Sequence, residues 1–213
     1  MEEVSCKVVL VGDSRCGKTA LINRFTNDNF LEVYTPTGFE RYTAMYKVGD
    51  CSINYTVWDT SGASAYGTVR PLAYKDASVF LLCFSIVDPE SLNNTAARWH
   101  PEIRQHCAEV PVILCGCQCD LRNDLDTVTS LAKDKLQPVT SEQALVVSRQ
   151  IGATTYVETT SRQTGRSSCE AFEVAALAAL GKLNKNHSNI PRQNCKVDVK
   201  EEIRDRGKTC IVM

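Results

Sequence analysis

An eight-residue stretch near the N-terminus, GDSRCGKT (12–19), constrains the fold of this 213-residue chain more than any other feature. It follows the apolar run CKVVLVG (6–12) and opens the helical pattern KTALINRFTN (18–27), which is the strand–loop–helix setting of a phosphate-binding P-loop. Its glycines allow backbone N–H groups to close around phosphates at the positive end of a helix. The motif predicts that Lys18 reaches the β- and γ-phosphates of a nucleotide and that Thr19 ligates Mg²⁺. The alternative is a chance match in an ordinary strand–loop–helix turn.

Short apolar, β-branched runs recur along the chain, with helical patterns between them. Several of the runs are continuously apolar, as are strands that are buried on both faces of a sheet. Strands that alternate with helices predict an α/β fold with a mostly parallel sheet covered by helices. The stretch ERYTAMYKVGDCSINYTVWD (40–59) looks like two strands around a Gly49-Asp50 turn, so one antiparallel edge strand is expected. The predicted strands are 6–12, 53–59, 78–86, 111–116 and 154–159.

Local signals mark where helices begin. Asp88 and Pro89 suit an N-cap and a first helical position, and Pro101 is expected to bend the helix that follows. The sequence TSEQ (140–143) has the arrangement of a capping box. His100 and His106 are interpreted as solvated or packed helix residues rather than catalytic groups.

Charge and cysteine content exclude several classes of protein. The net charge of −1 gives no general reason to expect a nucleic-acid partner, and no apolar run approaches the length that spans a bilayer. The opening residues lack the pattern of a signal peptide. The 11 cysteines, an odd number, are interpreted as reduced cytosolic thiols rather than a disulfide framework. From Asn184 onward the composition is polar and without period, which predicts a disordered tail.

A second motif, DTSG (59–62), closes the apolar strand pattern at 53–59. Alone this pattern is weak, but at the correct distance after a P-loop it is a strong signal. It predicts that Asp59 holds Mg²⁺ through a water and that the Gly62 N–H contacts the γ-phosphate.

Beyond these motifs, residues 5–183 resemble a Rho-family small GTPase of the Ras superfamily. The segment YTPTGFERY (34–42) resembles the Rho switch I, and VRPLAYKDASVFLLCFSI (69–86) resembles the stretch after switch II. The segment DLRNDLDTVTSLAKDKLQPV (120–139) resembles the Rho-specific insert helix.

The resemblance implies the domain organisation. It predicts a GTPase G domain over 1–183 with a six-stranded, mostly parallel sheet and helices on both faces. An insert helix is expected at about 123–137, and a disordered tail at 184–213. A monomer is the expectation for this family.

The resemblance also implies a site for GTP and Mg²⁺. Phe30 is expected to pack on the guanine, and Thr37 to bind Mg²⁺ and the γ-phosphate, so that the predicted metal ligands are Thr19 and Thr37. The predicted nucleotide-binding set is Gly12, Asp13, Ser14, Cys16, Gly17, Lys18, Thr19, Ala20, Phe30, Tyr34, Thr37, Asp59, Gly62, Cys117, Gln118, Asp120, Leu121, Thr160 and Ser161. The predicted effector region is Tyr34, Thr35, Pro36, Thr37, Gly38, Phe39, Glu40, Arg41 and Tyr42.

Within the Rho family the chain is most similar to the Rnd proteins. The shared features are WDTSG followed by a residue other than glutamine, a non-glycine at Ser14, and a Gly116-Cys117 start to the base-reading motif. Rnd proteins are thought to remain GTP-bound and to oppose Rho-driven contractility of the actin cytoskeleton. The resemblance suggests effector and regulator proteins as partners, among them Rho-directed GTPase-activating proteins and plexin-type receptors.

Two departures predict poor hydrolysis. In active GTPases a glutamine after the DxxG glycine orients the attacking water, whereas Ala63 has no polar side-chain atom. Ser14 adds a side chain where a glycine leaves room for an arginine finger and for that glutamine. No catalytic residue is therefore assigned. The alternative is that another group, such as Ser61 or Ser64, positions the water.

The base-reading motif departs further from the family pattern of Asn-Lys-x-Asp. Cys117 and Gln118 replace the asparagine and lysine, and only Asp120 is kept. Asp120 is expected to preserve guanine preference by accepting from the base, because hydrogen bonds to charged groups contribute about 1.5–3 kcal/mol each. Faster nucleotide exchange than in a standard Rho protein is expected. Thr160 and Ser161 stand where the last base loop is expected, although the match is loose.

Two further features leave their interpretation open. Cys115, Cys117 and Cys119 alternate, so on a strand they share one face. A soft-metal site is one interpretation, but no fourth ligand stands nearby in sequence, and buried or half-exposed thiols are favoured. Gly38 stands where Rho relatives usually have valine, and either alters partner choice or loosens the loop.

The chain ends Cys210-Ile-Val-Met213, a C-a-a-X box in which Met favours farnesyl. One lipid usually needs a second signal, and the mixed charge of the tail is not a strong polybasic patch. Cys195 is a candidate for palmitoylation. The expected location is the cytoplasmic face of membranes, chiefly the plasma membrane, with a cytosolic pool.

Three functional hypotheses follow. The first is a GTP-locked switch that recruits partners at membranes. The second is an enzyme, a conventional Rho GTPase that cycles between GTP and GDP with help from an activating protein. The third is a weak-binding pseudo-GTPase, which is motivated by Cys117 and Gln118.

Overall fold

A six-stranded sheet forms the centre of the molecule. The computed structural model describes residues 2–30, 33–48, 51–162 and 166–183. The strand order is β2-β3-β1-β4-β5-β6, and only β2 runs antiparallel to its neighbour. The predicted α/β sheet with one antiparallel edge strand is therefore confirmed. The strands are β1 (Glu2–Gly12), β2 (Phe39–Val48), β3 (Cys51–Thr60), β4 (Val79–Ser85), β5 (Val112–Cys117) and β6 (Thr155–Glu158).

Helices cover both faces of this sheet. Along β1, Val8 and Leu10 face one apolar cluster and Val9 and Val11 face the other, because successive side chains of a strand point to opposite faces. Residues of α1 and α6 complete the first cluster, and residues of α2, α3 and α5 complete the second. The helices are α1 (Lys18–Asn27), α2 (Pro89–Asn94), α3 (His100–His106), α4 (Leu125–Lys133), α5 (Ser141–Gln150) and α6 (Arg166–Ala179).

The predicted helix starts are found where expected. The Asp88 carboxylate accepts from the backbone N–H groups of Glu90 and Ser91, which makes it the N-cap of α2. Thr140 and Gln143 form the reciprocal bonds of a capping box at the start of α5. Capping of this kind satisfies backbone donors that the first helical turn leaves unpaired.

Pro101 disturbs its helix in a specific way. The segment Thr95–Trp99 between α2 and α3 is a π-helical turn. Proline has no N–H to donate to the carbonyl four residues earlier, and its ring clashes with that carbonyl. A wider turn just before the proline accommodates both constraints.

One sequence-based prediction is wrong. Strand β5 ends at Cys117, and Gln118 adopts a left-handed conformation with φ of 62°. Cys119 therefore starts a 3₁₀ turn (Cys119–Asn123) and contacts the apolar cluster on the other side of the sheet from Cys115 and Cys117. Only these last two cysteines share a strand face.

Several predictions fall outside the described residues, namely the Gly49-Asp50 turn and the tail from Asn184 with Cys195 and Cys210. The predicted insert segment contains α4, none of whose residues is buried. No helix in the described ranges has the length and hydropathy needed to cross a membrane.

Candidate functional site

The P-loop connects β1 to α1 and has two glycines in conformations that other residues rarely adopt. Gly12 has φ of 148° and Gly17 has φ of 107°. A Cβ at Gly12 would stand 2.1 Å from the Cys83 carbonyl oxygen, so the loop packs directly on the neighbouring strand. Gly12 therefore requires glycine for both conformation and space, and Gly17 requires it for conformation.

Helix α1 begins with its backbone donors available. Its N-cap is Gly17, no side chain in the described part of the chain caps it, and its first turn contains no acidic residue. The Lys18 ammonium lies across the loop, donating to the carbonyl oxygens of Gly12 at 2.9 Å and Asp13 at 2.7 Å. Burial lowers the pKa of Lys18, but nearby acidic groups, led by Cys16 and Asp59, outweigh burial and raise it. The loop thus combines a positive side chain with a positive helix end, which suits an anion.

Three oxygen-bearing side chains converge beside the loop. The Thr19 hydroxyl donates to Asp59 Oδ2 at 2.5 Å, and its oxygen lies 2.7 Å from the Thr37 hydroxyl. Asp59 Oδ1 is buried and has no hydrogen-bond partner among the described residues. Burial raises the pKa of Asp59 to about 6, against the lowering effects of the Thr19 bond and the Lys18 charge. Burial thus disfavours the charged form of Asp59, and a cation bound beside it would stabilise that form.

The chemistry of this oxygen cluster fits Mg²⁺. Mg²⁺ prefers oxygen ligands, usually one or two carboxylates completed by water and substrate phosphates. The side chains of Thr19, Thr37 and Asp59 offer only oxygen atoms as metal ligands. Burying Asp59 Oδ1 without a partner among the described residues costs free energy, which a bound cation would offset. The sequence assigned all three residues to the metal region, and the structure brings them together from α1, the effector loop and β3.

The DTSG turn lies against the P-loop. A Cβ on Gly62 would stand 2.2 Å from the Ser14 backbone nitrogen, so no other residue fits. Ala63 follows, and its backbone N–H donates to the Ser61 hydroxyl at 3.3 Å. Ser64 is exposed. The turn around Ala63 thus has serine hydroxyls at Ser61 and Ser64, and an alanine where a water-orienting side chain would stand.

The base loop reaches the P-loop through apolar contact. A Cβ placed on Gly17 would lie 3.0 Å from Cys117 Cβ. The Gln118 side chain turns to β4 and accepts a 2.5 Å bond from the Ser85 hydroxyl. Asp120 lies in the first turn of the 3₁₀ segment, half-buried. Cys117, in place of the family's asparagine, therefore packs against Gly17 of the P-loop. Gln118, in place of the family's lysine, is hydrogen-bonded to Ser85 of the sheet.

A cleft of about 590 Å³ lies beside the base loop, lined by Arg24, Asp28, Asn29, Phe30 and Arg162. The buried Arg24 guanidinium donates to the Ser161 carbonyl at 2.8 Å and to the Asp28 carbonyl at 2.7 Å. It joins the last base loop to the segment before Phe30. Sequence reasoning missed Arg24, because its partner lies 137 positions away.

The remaining predicted residues take different environments. Thr160 is buried and accepts from the Arg162 N–H at 3.3 Å, whereas Ala20 and Leu121 are half-buried. Cys16 is buried. Tyr34, which was predicted to bind the nucleotide, is 49% exposed, and the Arg15 guanidinium lies over its ring.

The effector loop contacts the turn after Ala63. A Cβ on Gly38 would lie 3.5 Å from the Tyr66 hydroxyl, an ordinary contact, and the Phe39 and Tyr66 rings meet edge to face. Space around Gly38 therefore does not exclude a valine. Its role in partner choice or loop mobility stays a prediction. Of the effector residues, Tyr34, Thr35, Pro36, Glu40 and Arg41 are exposed, and Thr37, Gly38, Phe39 and Tyr42 are half-buried.

A buried arginine organises the segment after Ala63. Arg70 donates to the Ser61 carbonyl at 2.5 Å and forms a two-point ion pair with Glu102, which also accepts from Tyr74. Its guanidinium stacks over Trp99 at 4.6 Å. Sequence reasoning missed this network, whose members come from separate elements.

The loop, the oxygen cluster and the base-side cleft lie along one edge of an α/β sheet, an arrangement that defines a P-loop nucleotide-binding domain. A family model described as the Ras family matches residues 7–180. The chain is 40% identical to Rho-related GTP-binding protein RhoE of Homo sapiens over 225 aligned residues, covering 100% of this chain and 92% of that protein.

Other similar proteins also carry Rho names. GTP-binding protein RHO1 of Saccharomyces cerevisiae is 43% identical, with coverage of 89% of this chain and 93% of that protein. Rho-related GTP-binding protein RhoD of Homo sapiens is 42% identical, with coverage of 85% and 86%. The chain belongs to the Ras family, in its Rho branch and close to the Rnd subgroup.

Proposed function

We propose that this chain is a GTP-binding switch that retains GTP, hydrolyses it poorly and recruits partner proteins at membranes to regulate the actin cytoskeleton. One juxtaposition supports the proposal most directly. The oxygen cluster of Thr19, Thr37 and Asp59 is intact, yet Ala63 beside it has no polar side-chain atom. The groups that hold a nucleotide are kept, and a group that orients water is missing.

The holding groups have defined tasks in this proposal. The N–H groups of the P-loop and α1 bind the phosphates, and Lys18 neutralises them from its position across the loop. Thr19 and Thr37 hold Mg²⁺, and Asp59 supplies the negative charge that keeps it there. Bound Mg²⁺ would offset the charge of the phosphate oxygens.

Poor hydrolysis follows from what surrounds Ala63. A side chain that orients the attacking water is needed near the γ-phosphate, and Ala63 supplies none, while the nearby Ser61 hydroxyl is held by the Ala63 N–H. An arginine finger contributes on the order of 10³–10⁵ in rate where it enters such a site. The exposed Ser14 adds a side chain on that approach.

Guanine selectivity rests on Asp120. A carboxylate that accepts two base N–H groups discriminates against a base that lacks them. Cys117 and Gln118 do not supply the family's additional bonds, so nucleotide exchange is faster than in a standard Rho protein.

Membrane attachment and partners complete the proposal. Farnesylation at Cys210, on a tail that follows the 1–183 G domain, brings the switch to the cytoplasmic face of membranes. Rho-family proteins generally bind effectors and regulators, and the exposed part of residues 34–42 is the surface for them here. The alternative is a conventional cycling GTPase, and the experiment below distinguishes the two.

The test is a single-turnover measurement of GTP hydrolysis by the full chain, with and without a Rho-directed activating protein. We expect hydrolysis far below that of a standard Rho protein and no stimulation. The double variant Ala63→Gln with Ser14→Gly should regain hydrolysis, whereas Ser64→Gly is the matched control and should not. Hydrolysis at ordinary Rho rates, stimulated by the activator, would make the cycling enzyme the correct reading.

A further inference from the structure

Three cysteine sulfurs meet in the core directly beneath the P-loop. Cys83 of β4 and Cys115 of β5 are partners in the parallel register of these strands. Cys117 lies two residues further along β5 and so shares the face of Cys115. The three sulfur atoms lie within 4.8 Å of one another, and all three residues are buried.

We propose that the sulfurs of Cys83, Cys115 and Cys117 form a three-coordinate site for a monovalent copper ion beneath the P-loop. Three sulfurs in a plane around one ion, with metal–sulfur bonds of about 2.3 Å, stand about 4 Å apart. The observed spacing needs only small side-chain adjustments to reach that distance.

The ligand number selects the ion. Thiolates are soft ligands that favour Cu(I), zinc and iron–sulfur centres. Structural zinc sites are almost always four-coordinate. In the part of the chain that the structure describes, the cluster contains no fourth cysteine, histidine or carboxylate. A three-sulfur site therefore suits Cu(I) better than zinc.

Copper binding at this cluster must displace the thiol protons against the effect of burial. Hydrogen bonding of the Cys83 and Cys117 thiols with Cys115, together with burial, raises the pKa values of both thiols, so the thiols are protonated without a metal. On binding, each coordinating thiol loses its proton to solvent, and copper stays in its reduced state. The buried Lys18 ammonium interacts electrostatically with Cys83 and Cys117 and would balance part of the negative charge.

The place of this cluster in the fold gives the site a structural consequence. Cys117 contacts the P-loop, since its Cβ lies 3.0 Å from where a Cβ of Gly17 would stand. A bound ion would join the ends of β4 and β5 and fix the first residue of the base loop. The metal would thus supply a link where the family's asparagine makes its tie.

The test uses the reduced full chain under anaerobic conditions, titrated with Cu(I) in the presence of bicinchoninate, whose copper complex is coloured. We expect the protein to withdraw one Cu(I) per chain from the competitor. Cys115→Ala should weaken the affinity for Cu(I) by more than about 100-fold. Losing a residue that only hydrogen-bonds to a metal ligand lowers metal affinity by about 10–100-fold, and losing a ligand itself should lower it further. Cys6→Ala, which removes a buried thiol of the same core cluster on β1, is the matched control and should not change uptake.

X-ray absorption on the copper-loaded wild type gives a readout that does not depend on a variant folding. Three sulfur neighbours at about 2.3 Å support the site. Two sulfur neighbours, nitrogen or oxygen ligands, no uptake, or equal uptake by Cys115→Ala would overturn it. Zinc held with four ligands in preference to copper would overturn it as well.

Discussion

The Trp99 indole Nε1 donates a 2.8 Å hydrogen bond to Asp13 Oδ1 and so ties the π-helical turn to the P-loop. The other Asp13 oxygen accepts from the Asn94 amide at 2.8 Å. Trp99 is fully buried, with the Arg98 and Arg70 guanidinium groups over its ring. One tryptophan therefore connects the P-loop to the segment that follows Ala63.

Replacing Trp99 with phenylalanine tests this connection. The change removes the Nε1 donor to a carboxylate, and hydrogen bonds to charged groups contribute about 1.5–3 kcal/mol. We expect the free energy of unfolding of Trp99→Phe to fall by about 2–3 kcal/mol in urea denaturation. Trp58→Phe makes the same chemical change at a half-buried ring and should cost less. Equal losses in the two variants would show that ring size, not the bond to Asp13, matters.

The Arg70–Glu102 pair predicts a pH-dependent stability. Burial raises the pKa of Glu102, but hydrogen bonds from Arg70 and Tyr74 outweigh it and hold the pKa below its ordinary 4.5. A depressed carboxyl pKa stabilises the fold above the unfolded-state pKa, and this contribution is lost as pH falls through the folded-state value.

Glu102→Gln should therefore be clearly less stable than the wild type at neutral pH, by about 3 kcal/mol, because Arg70 keeps its charge in a buried position. The difference should shrink as the pH falls below the ordinary carboxyl range. Thermal unfolding followed from neutral to acidic pH measures it, with the exposed Glu109→Gln as a control of little effect. A difference that does not change with pH would contradict the role given to the Glu102 charge.

Asp59 predicts how Mg²⁺ controls nucleotide release. Removing a partner that orients metal ligands typically costs 10–100-fold in metal affinity. Asp59→Asn should weaken Mg²⁺ by about that factor and speed release of a fluorescent GTP analogue, as chelation with EDTA does in the wild type. Asp88→Asn keeps an equally good helix cap and should leave Mg²⁺ binding unchanged. Unaltered Mg²⁺ affinity in Asp59→Asn would remove Asp59 from the metal site.

The base loop predicts slower exchange when a family residue is restored. Gln118→Lys should slow release of the fluorescent analogue by about 10-fold or more, consistent with a charge-assisted contact of about 1.5–3 kcal/mol. Gln118→Met has a similar stem without a charge and separates stem packing from the ammonium. Release equal in wild type and Gln118→Lys would mean that Asp120 and the P-loop already set the rate.

Much of the fold was predictable because its signals are local. The apolar runs predicted five of the strands, and Asp88 and the Thr140–Gln143 box marked helix starts through bonds to residues two or three positions away. The P-loop motif likewise placed Lys18 and Thr19 correctly at the start of α1.

What could not be predicted depends on residues distant in the chain. Cys83 joins Cys115 only because β4 and β5 pair in a particular register. Cys119 does not share the strand face because Gln118 adopts a left-handed conformation, which a glutamine in the sequence does not predict. The bond from Trp99 to Asp13 spans 86 positions and depends on the packing of the helix against the sheet.

The central claim is that the site binds GTP and does not hydrolyse it. The most direct test is to identify the nucleotide that copurifies with the protein. Acid releases it from freshly purified full chain, and chromatography separates GTP from GDP. The account predicts GTP close to one molecule per chain. Mostly GDP would contradict it and show turnover despite Ala63, and an empty site would point instead to the weak binding suggested by Cys117 and Gln118.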